Sequence, residues 1–200
     1  MLEFFTIAIL HLFAVASPGP DFLLVTRQSL RSGRTAAIWS SAGVATGILF
    51  HSLIAIIGVS LIISSNPDLF DWLKICAAIY IAYLGCLSFF STSSSSKEKD
   101  GRKNENHFGA YILGFFTNIL NPKAILFFVT VYTVVVNQST TKLLLSFYGL
   151  YMSVTTFIWF AGISYIFSNR SMTNKYQNFI PIFEKVIGVI LIIIAIQLFL

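Results

Sequence analysis

Six long apolar runs constrain the fold of this chain more than any other feature of its sequence. A helix needs about 20 apolar residues to cross a hydrocarbon core about 30 Å thick. Runs of that length occupy residues 2–26, 36–63, 72–91, 108–136, 143–167 and 181–200. Hydrophobic residues make up 56% of the chain and charged residues only 10%, whereas soluble domains average about 25% charged. We therefore predict an all-α integral membrane protein with six transmembrane helices.

The start of the first run differs from a secretory signal peptide. The chain begins Met-Leu-Glu and lacks the basic residues that open such a peptide. We therefore expect the first run to remain in the mature protein as a transmembrane helix.

The segments between the apolar runs differ in basic charge. Residues 27–35, 92–107 and 168–180 carry nine Lys or Arg residues, whereas 64–71 carries none and 137–142 carries only Lys142. Lys and Arg favour the cytoplasmic side of a membrane. We therefore predict that the three basic segments are cytoplasmic and that both termini lie on the outer side.

A serine-rich stretch, STSSSSKEKDGRKNENH, divides the chain into two halves. Serines and mixed charges cannot bury apolar area, and this composition is typical of a flexible linker, here residues 92–107. Three runs precede the linker and three follow it, so the second half enters the membrane in the opposite orientation. We therefore predict one transmembrane domain over residues 1–200, built from two inverted three-helix repeats at about 1–91 and 108–200.

Prolines interrupt the first and fourth runs at matching places. The first run contains SPGPD at residues 17–21, and the fourth contains NPK at residues 121–123. Ser and Asn are frequent helix N-caps, and proline suits the first helical position because its missing N–H needs no partner there. We therefore predict a cap followed by the first residue of a new half-helix at Ser17-Pro18 and at Asn121-Pro122, which breaks both helices near mid-membrane.

Such breaks create polar backbone where a polar solute can pass. A half-helix that begins inside the membrane exposes N–H groups and a partial positive charge, which attract anions such as a substrate carboxylate. Asp21 and Lys123 lie beside the two breaks, and a charge inside the bilayer costs at least about 2.5 kcal/mol on insertion scales. We expect both to face a polar interior, where they pair with each other or receive the ammonium and carboxylate of a zwitterion. The structural alternative is a kink that only directs each helix.

The second run carries Gly43, Gly47 and His51 at intervals of four, on one helical face. The two glycines form GxxxG, which is typical of close helix packing in membranes. His51 can relay protons, or it can be satisfied by one interhelical hydrogen bond, and the same two interpretations apply to His11. Asn118, one turn before the second break, can hydrogen-bond the broken backbone or a substrate.

Together these motifs resemble the LysE/RhtB family of bacterial amino-acid exporters. The resemblance rests on PGP at 18–20, the second-run glycines with His51, LKICAAIYIAYLG at 73–85, and Gly114, Asn118 and NPKA at 121–124. It covers nearly the whole chain. It implies a multi-pass protein of the bacterial cytoplasmic membrane that exports amino acids or their derivatives by proton antiport, without cofactor and without enzymatic activity. The chain has no GxxxxGK[ST] motif for ATP, which agrees with secondary transport.

The implied partners are a small-molecule substrate, protons and the lipid bilayer, with no nucleic acid, and the assembly is a monomer or a homodimer. Asp21 is the favoured carrier of the coupling proton, and His51 is the alternative. No catalytic or metal residues are predicted. The residues predicted to bind substrate or to couple its movement to protons are Ser17, Pro18, Gly19, Pro20, Asp21, His51, Asn118, Asn121, Pro122 and Lys123.

Three other functions are alternatives to amino-acid export. A heavy-metal exporter of the same superfamily would need clustered thiolates and imidazoles, but Cys76 and Cys86 are ten residues apart and do not share a helical face. A membrane enzyme would need a nucleophile with a base or a motif such as HExxH, and the sequence shows neither. A passive channel differs from an exporter in being unable to concentrate its solute against a gradient.

The topology can be tested by cysteine labelling in a chain that lacks Cys76 and Cys86. A membrane-impermeant maleimide added to intact cells should label Ser139→Cys, because residues 137–142 are predicted outside. It should leave Ser95→Cys unlabelled until the membrane is permeabilised. Strong labelling of Ser95→Cys in intact cells would contradict the predicted orientation.

Overall fold

The computed structural model describes residues 2–17, 19–65, 106–137 and 139–168, together with isolated positions between 72 and 90 and between 182 and 196. The predicted third and sixth helices fall largely outside these residues, as does the linker up to residue 105. The continuous ranges contain these helices: α1 (Leu2–Ala16), α2 (Pro20–Arg31), α3 (Arg34–Ser65), α4 (His107–Ile119), α5 (Pro122–Thr130) with a π-helical turn at Val131–Val135, and α6 (Lys142–Phe167).

Two of these helices are long and apolar enough to cross a membrane alone, α6 over its whole length and α3 over Arg34–Gly58. The pair α1 and α2 bends by 52°, and α4 bends by 55° against α5 with its π-helical turn. Each bent pair is also long and apolar enough for one span, which gives up to four spans in the described part of the chain. The predicted breaks in the first and fourth helices are therefore confirmed.

The turn between α2 and α3 is much shorter than the predicted loop 27–35. The backbone N–H groups of Ser32 and Gly33 both donate to the Gln28 carbonyl, and Gly33 has a φ of +89°. This left-handed conformation favours glycine and ends α2 abruptly. Arg31 and Arg34 therefore lie at helix ends on either side of a two-residue turn.

α3 is the central helix and packs most extensively against α4 and α6. A Cβ on Gly43 would collide with the backbone of Tyr111 and Phe115, and a Cβ on Gly114 would collide with the backbone of Ser40. Such close backbone approach is what small residues permit between membrane helices. The predicted packing role of Gly43 is confirmed, and the partner helix is α4.

Among the described residues, two clusters of buried apolar side chains hold the helices together. The first joins α1, α3, α5, the π-helical turn and α6, and the second joins α2, α3 and α6. The first cluster contains Ile7, Leu10, Ile48, Ala55, Phe127, Phe128, Val131, Tyr132, Leu145, Tyr148 and Met152. The second contains Val25, Ala37, Val44 and Phe160.

The outer surface of the helices is also apolar. Leu23 on α2, Leu53 on α3 and Ile158 on α6 are each more than half exposed, and many other large apolar side chains share this property. An exposed apolar surface of this extent is unfavourable in water and suits contact with lipid acyl chains.

The close contact between α3 and α4 predicts a selective effect of glycine substitutions. Gly43→Ala and Gly114→Ala should each destabilise the protein by about 1–3 kcal/mol, because the new methyl group meets backbone that cannot move aside. Thermal unfolding of detergent-purified protein measures this loss. Gly58→Ala and Gly162→Ala are matched controls, since a Cβ at either helical position meets no atom of the described residues within 4 Å. Equal stability of all four variants would contradict the close packing.

Candidate functional site

The first break lies between α1 and α2. Helix α1 ends at Ala16, the Ser17 N–H still donates to the Phe13 carbonyl, and Gly19 is fully extended with φ −170° and ψ −173°. Gly19 is the N-cap of α2, and Pro20 is its first residue. Asp21 occupies the first turn of α2, where the helix dipole favours a carboxylate.

The predicted cap at this break was therefore wrong by two residues. Ser17 does not cap α2, and the half-helix begins at Pro20 rather than at Pro18, which itself lies outside the described residues. The physical reason is the second proline. The residue before a proline is disfavoured in the helical conformation, so Gly19 is held extended and the helix starts after it.

The second break, between α4 and α5, follows the prediction. Asn121 is the N-cap of α5, Pro122 is the first residue, and the Asn121 side chain accepts a hydrogen bond of 3.0 Å from the Lys123 N–H. The Asn121 N–H donates to the Asn118 carbonyl, which closes the end of α4. The predicted cap-and-proline start at Asn121-Pro122 is confirmed.

The two breaks meet each other in the structure. Asp21 Oδ2 accepts hydrogen bonds from Asn118 Nδ2 at 2.9 Å and from Asn121 Nδ2 at 3.0 Å. In the other direction, Lys123 Nζ donates to the Ser17 carbonyl oxygen at 2.6 Å. A side chain from each broken helix thus satisfies polar groups of the other. The carboxylate and the ammonium group that flank the breaks are brought into one site.

Helix α3 packs against this site through Gly47 and His51, which both contact Asn118. The Asn118 side chain packs directly on Gly47, where an added Cβ would lie 2.9 Å from Asn118 Cβ. His51 Nε2 is 3.1 Å from the Asn118 carbonyl oxygen, and its ring stacks on Phe128. His51 therefore makes the interhelical hydrogen bond that the sequence allows, and it contacts the site through Asn118.

Two buried oxygens at the site, Asp21 Oδ1 and Asn118 Oδ1, have no hydrogen-bond partner among the described residues. An unsatisfied buried acceptor costs about 1–3 kcal/mol. Asn118 Oδ1 lies against Gly47, whereas Asp21 lines a cavity. A donor that enters the cavity can therefore satisfy the free oxygen of Asp21.

The cavity has a volume of about 40 Å³, enough for a few water molecules. His51, Pro20 and Pro122 are predicted site residues that do not line it. The predicted residues that do line it are Ser17, Gly19, Asp21, Asn118, Asn121 and Lys123.

Helices α1 and α6 supply cavity residues that were not predicted from the sequence. His11 and Thr156 are polar, buried and within hydrogen-bonding distance of each other, while Phe127, Phe128 and Phe160 form an apolar part of the wall. From the sequence, His11 is either a proton relay or a histidine satisfied by one interhelical hydrogen bond, and neither interpretation places it in the cavity wall. Thr156 was missed because its helix has no break, and the one available signal was a Thr-Thr pair inside an apolar run.

Comparison with known proteins identifies the family. A family model described as LysE type translocator matches residues 12–200. The uncharacterized membrane protein YrhP of Bacillus subtilis (strain 168) is 31% identical over 187 residues, which cover 89% of each chain. The threonine efflux proteins of Salmonella typhimurium (strain LT2) and Escherichia coli (strain K12) are 26% and 28% identical, over 89% of this chain and 88% of each relative. No solved structure matches the chain. The match over residues 12–200 shows that the chain belongs to the LysE type translocator family.

Proposed function

We propose that this protein is a secondary active exporter of small amino acids or their derivatives across the bacterial cytoplasmic membrane, driven by exchange with protons. The observation that carries the proposal is the meeting of Asp21 and Lys123 at two helix breaks on one cavity. An amino acid carries one ammonium and one carboxylate at neutral pH, and the cavity offers one group of opposite charge for each. The relatives named threonine efflux proteins support this substrate class.

The substrate ammonium is assigned to Asp21. Its Oδ2 accepts from two asparagine side chains, whereas its Oδ1 is buried and has no partner in the described part of the chain, so it can accept a further donor. An ammonium group supplies the missing donor together with a compensating charge.

The substrate carboxylate is assigned to Lys123 and the nearby helix starts. Lys123 Nζ carries three hydrogens and reaches across the break to the Ser17 carbonyl. Helices α2 and α5 both begin at the breaks, and the positive ends of their dipoles add positive potential.

Antiport follows from competition for one oxygen. A proton and a substrate ammonium would both occupy Asp21 Oδ1, so binding of either excludes the other. Outward movement of substrate and inward movement of a proton are then coupled through this carboxyl group. His51 is the less favoured carrier, because its described contacts run through Asn118 and Phe128 rather than through the cavity.

For the whole chain we propose six transmembrane helices in two inverted repeats, with both termini outside. The support is the likeness of the two bent pairs. They bend by 52° and 55°, and in each pair the second helix begins with proline and carries its charged residue, Asp21 or Lys123, immediately after it.

The alternative function, heavy-metal export, would need several soft ligands close together. Among the described residues, no three His, Cys, Asp or Glu side chains lie close enough together to hold a metal ion. Cys76 lies outside the described residues, and Cys86 is exposed.

Asp21→Asn should abolish proton-driven accumulation of exported substrate, because an amide cannot release a proton. It should retain some exchange of labelled for unlabelled substrate. Both are measured in proteoliposomes loaded with a panel of amino acids, with and without a pH gradient. Glu3→Gln is the matched control, since Glu3 is hydrogen-bonded to Thr140 and does not line the cavity. Normal proton-driven export by Asp21→Asn, with loss in His51→Gln, would move the coupling role to His51.

Lys123→Met should raise the substrate concentration for half-maximal export about ten- to a hundredfold, the range expected for one charge-assisted hydrogen bond. Concentration-dependent export from proteoliposomes measures this shift. Lys142→Met is the control, because Lys142 is an exposed lysine at the start of α6. Unchanged half-saturation in both variants would show that Lys123 does not bind the carboxylate.

A further inference from the structure

His51 is hydrogen-bonded to the end of α4 but does not line the cavity, and the proposed coupling through Asp21 does not use it. We infer that His51 and Gly47 are positioning residues, which hold Asn118 in place. Asn118 in turn orients Asp21 for the substrate ammonium. This rests on the proposed export of amino acids and adds the residues of α3 that keep the ammonium-binding carboxylate in position.

The His51 ring is a hydrogen-bond donor of fixed direction. Its Nε2 lies 3.1 Å from the Asn118 carbonyl oxygen, and a carbonyl oxygen can only accept, so Nε2 carries a hydrogen. This holds for the neutral ring and for the cation, because both can carry a hydrogen on Nε2. The side chain is buried, and its ring stacks on Phe128, which fixes the ring plane. The donor of His51 is therefore directed at the end of α4.

The Asn118 carbonyl is linked to both asparagines that bind Asp21. It accepts the backbone N–H of Asn121 at 3.0 Å as well as the His51 ring. The side chains of Asn118 and Asn121 then donate to Asp21 Oδ2 at 2.9 Å and 3.0 Å. A shift of this one carbonyl therefore moves both donors of the carboxylate.

Gly47 holds the side chain of Asn118. A Cβ at position 47 would lie 2.5 Å from Asn118 Oδ1 and 2.9 Å from Asn118 Cβ, so an added methyl group would displace the amide. The contact places Oδ1 against the α3 backbone, while Nδ2 donates to Asp21. Gly47 and His51 are four residues apart on one face of α3. One helix face thus fixes both the side chain and the carbonyl of Asn118.

The orientation of Asp21 decides how well the substrate ammonium binds. Oδ2 accepts from the two amides, and the ammonium is assigned to Oδ1 of the same planar carboxylate. Hydrogen bonds weaken steeply when their geometry departs from linear, so rotation of the carboxylate costs affinity. Loss of the His51 donor should therefore weaken substrate binding. Proton transfer at Asp21 should continue, because the carboxyl group is still present.

Two amides of different length at position 51 provide the test. In His51→Gln the amide nitrogen takes the place of Nε2 and can donate to the Asn118 carbonyl, whereas the shorter side chain of His51→Asn does not reach it. In proteoliposomes, the half-saturation concentration for the best-exported amino acid of the panel should rise about tenfold in His51→Asn, the effect of one hydrogen bond. It should stay close to that of the wild-type protein in His51→Gln. Proton-driven accumulation should persist in both variants.

His107→Asn is the matched control. The His107 ring is exposed at the start of α4, stacks on Trp39 and does not line the cavity. Its substitution should change neither the half-saturation concentration nor proton coupling. This control separates the loss of the donor at position 51 from the general effect of replacing a histidine by asparagine.

Asn118→Ala tests whether His51 acts through Asn118. This variant keeps the backbone carbonyl but removes the amide that donates to Asp21. The effect of His51→Asn should fall from about tenfold to about threefold in this background, since only Asn121 then transmits it. A tenfold effect in both backgrounds would show that His51 acts by another route and would overturn the inference.

Gly47→Ala tests the contact on the Asn118 side chain, including the case in which the His51 variants do not fold. The new methyl group should displace the amide and raise the half-saturation concentration about tenfold, the effect of one hydrogen bond. Gly58→Ala is the control, since a Cβ there meets no atom of the described residues within 4 Å. Equal half-saturation of Gly47→Ala and the wild-type protein would overturn the role of Gly47.

The outcomes separate this inference from the proposed function. Loss of proton-driven accumulation in both His51→Gln and His51→Asn would make His51 a proton carrier and overturn its positioning role, while amino-acid export stands. Equal half-saturation in these two variants, whether unchanged or raised, would overturn the role of the donor. Failure of the wild-type protein to export any member of the panel would overturn the proposed function and this role with it. A tenfold rise in His51→Asn that His51→Gln does not show supports the inference.

Discussion

The structure depends on the requirement that polar backbone inside a membrane must find partners within the protein. Breaking two helices there frees N–H and carbonyl groups that lipid cannot satisfy. At the first break, the Ser17 carbonyl accepts a hydrogen bond from Lys123 Nζ, and at the second the Lys123 N–H donates to the Asn121 side chain. The side chains of Asn118 and Asn121 also bind Asp21, so the two breaks lie against each other. A site with one carboxylate and one ammonium is the chemical result.

The close approach of α3 and α4 gives the site its position. Gly43 and Gly114 allow the two backbones to touch, and Gly47 accommodates the Asn118 side chain on the same face. A larger side chain at Gly47 would move Asn118, and with it the hydrogen bond to Asp21. Residues that lack a side chain thus determine the positions of the polar side chains that line the cavity. His51 adds to the same alignment through the Asn118 carbonyl.

The sequence was most informative where local chemistry decides the structure. Proline after Asn121 sets a helix start whatever surrounds it, and charges in an apolar run must face inward, so the Asn121 cap and the grouping of Asp21 with Lys123 could be predicted. At the first break two prolines competed, and the choice of Pro20 required attention to the residue before each one. Thr156 could not be predicted as a cavity residue, because its neighbour in the wall, His11, is 145 positions away in the sequence and no periodicity connects the two.

The hydrogen bond from Lys123 to the Ser17 carbonyl has a mechanical consequence. It is a tie between the two halves of the chain, formed by the same atom that is assigned to hold the substrate carboxylate. A substrate carboxylate that attracts Lys123 Nζ weakens this hydrogen bond, and release of the substrate allows the bond to form again. Substrate binding in the cavity and separation of the two broken helices are then linked, because both require this hydrogen bond to break. A transporter built in this way would break the hydrogen bond between Lys123 and Ser17 only when substrate is bound. This disfavours leakage through a pathway that opens without substrate.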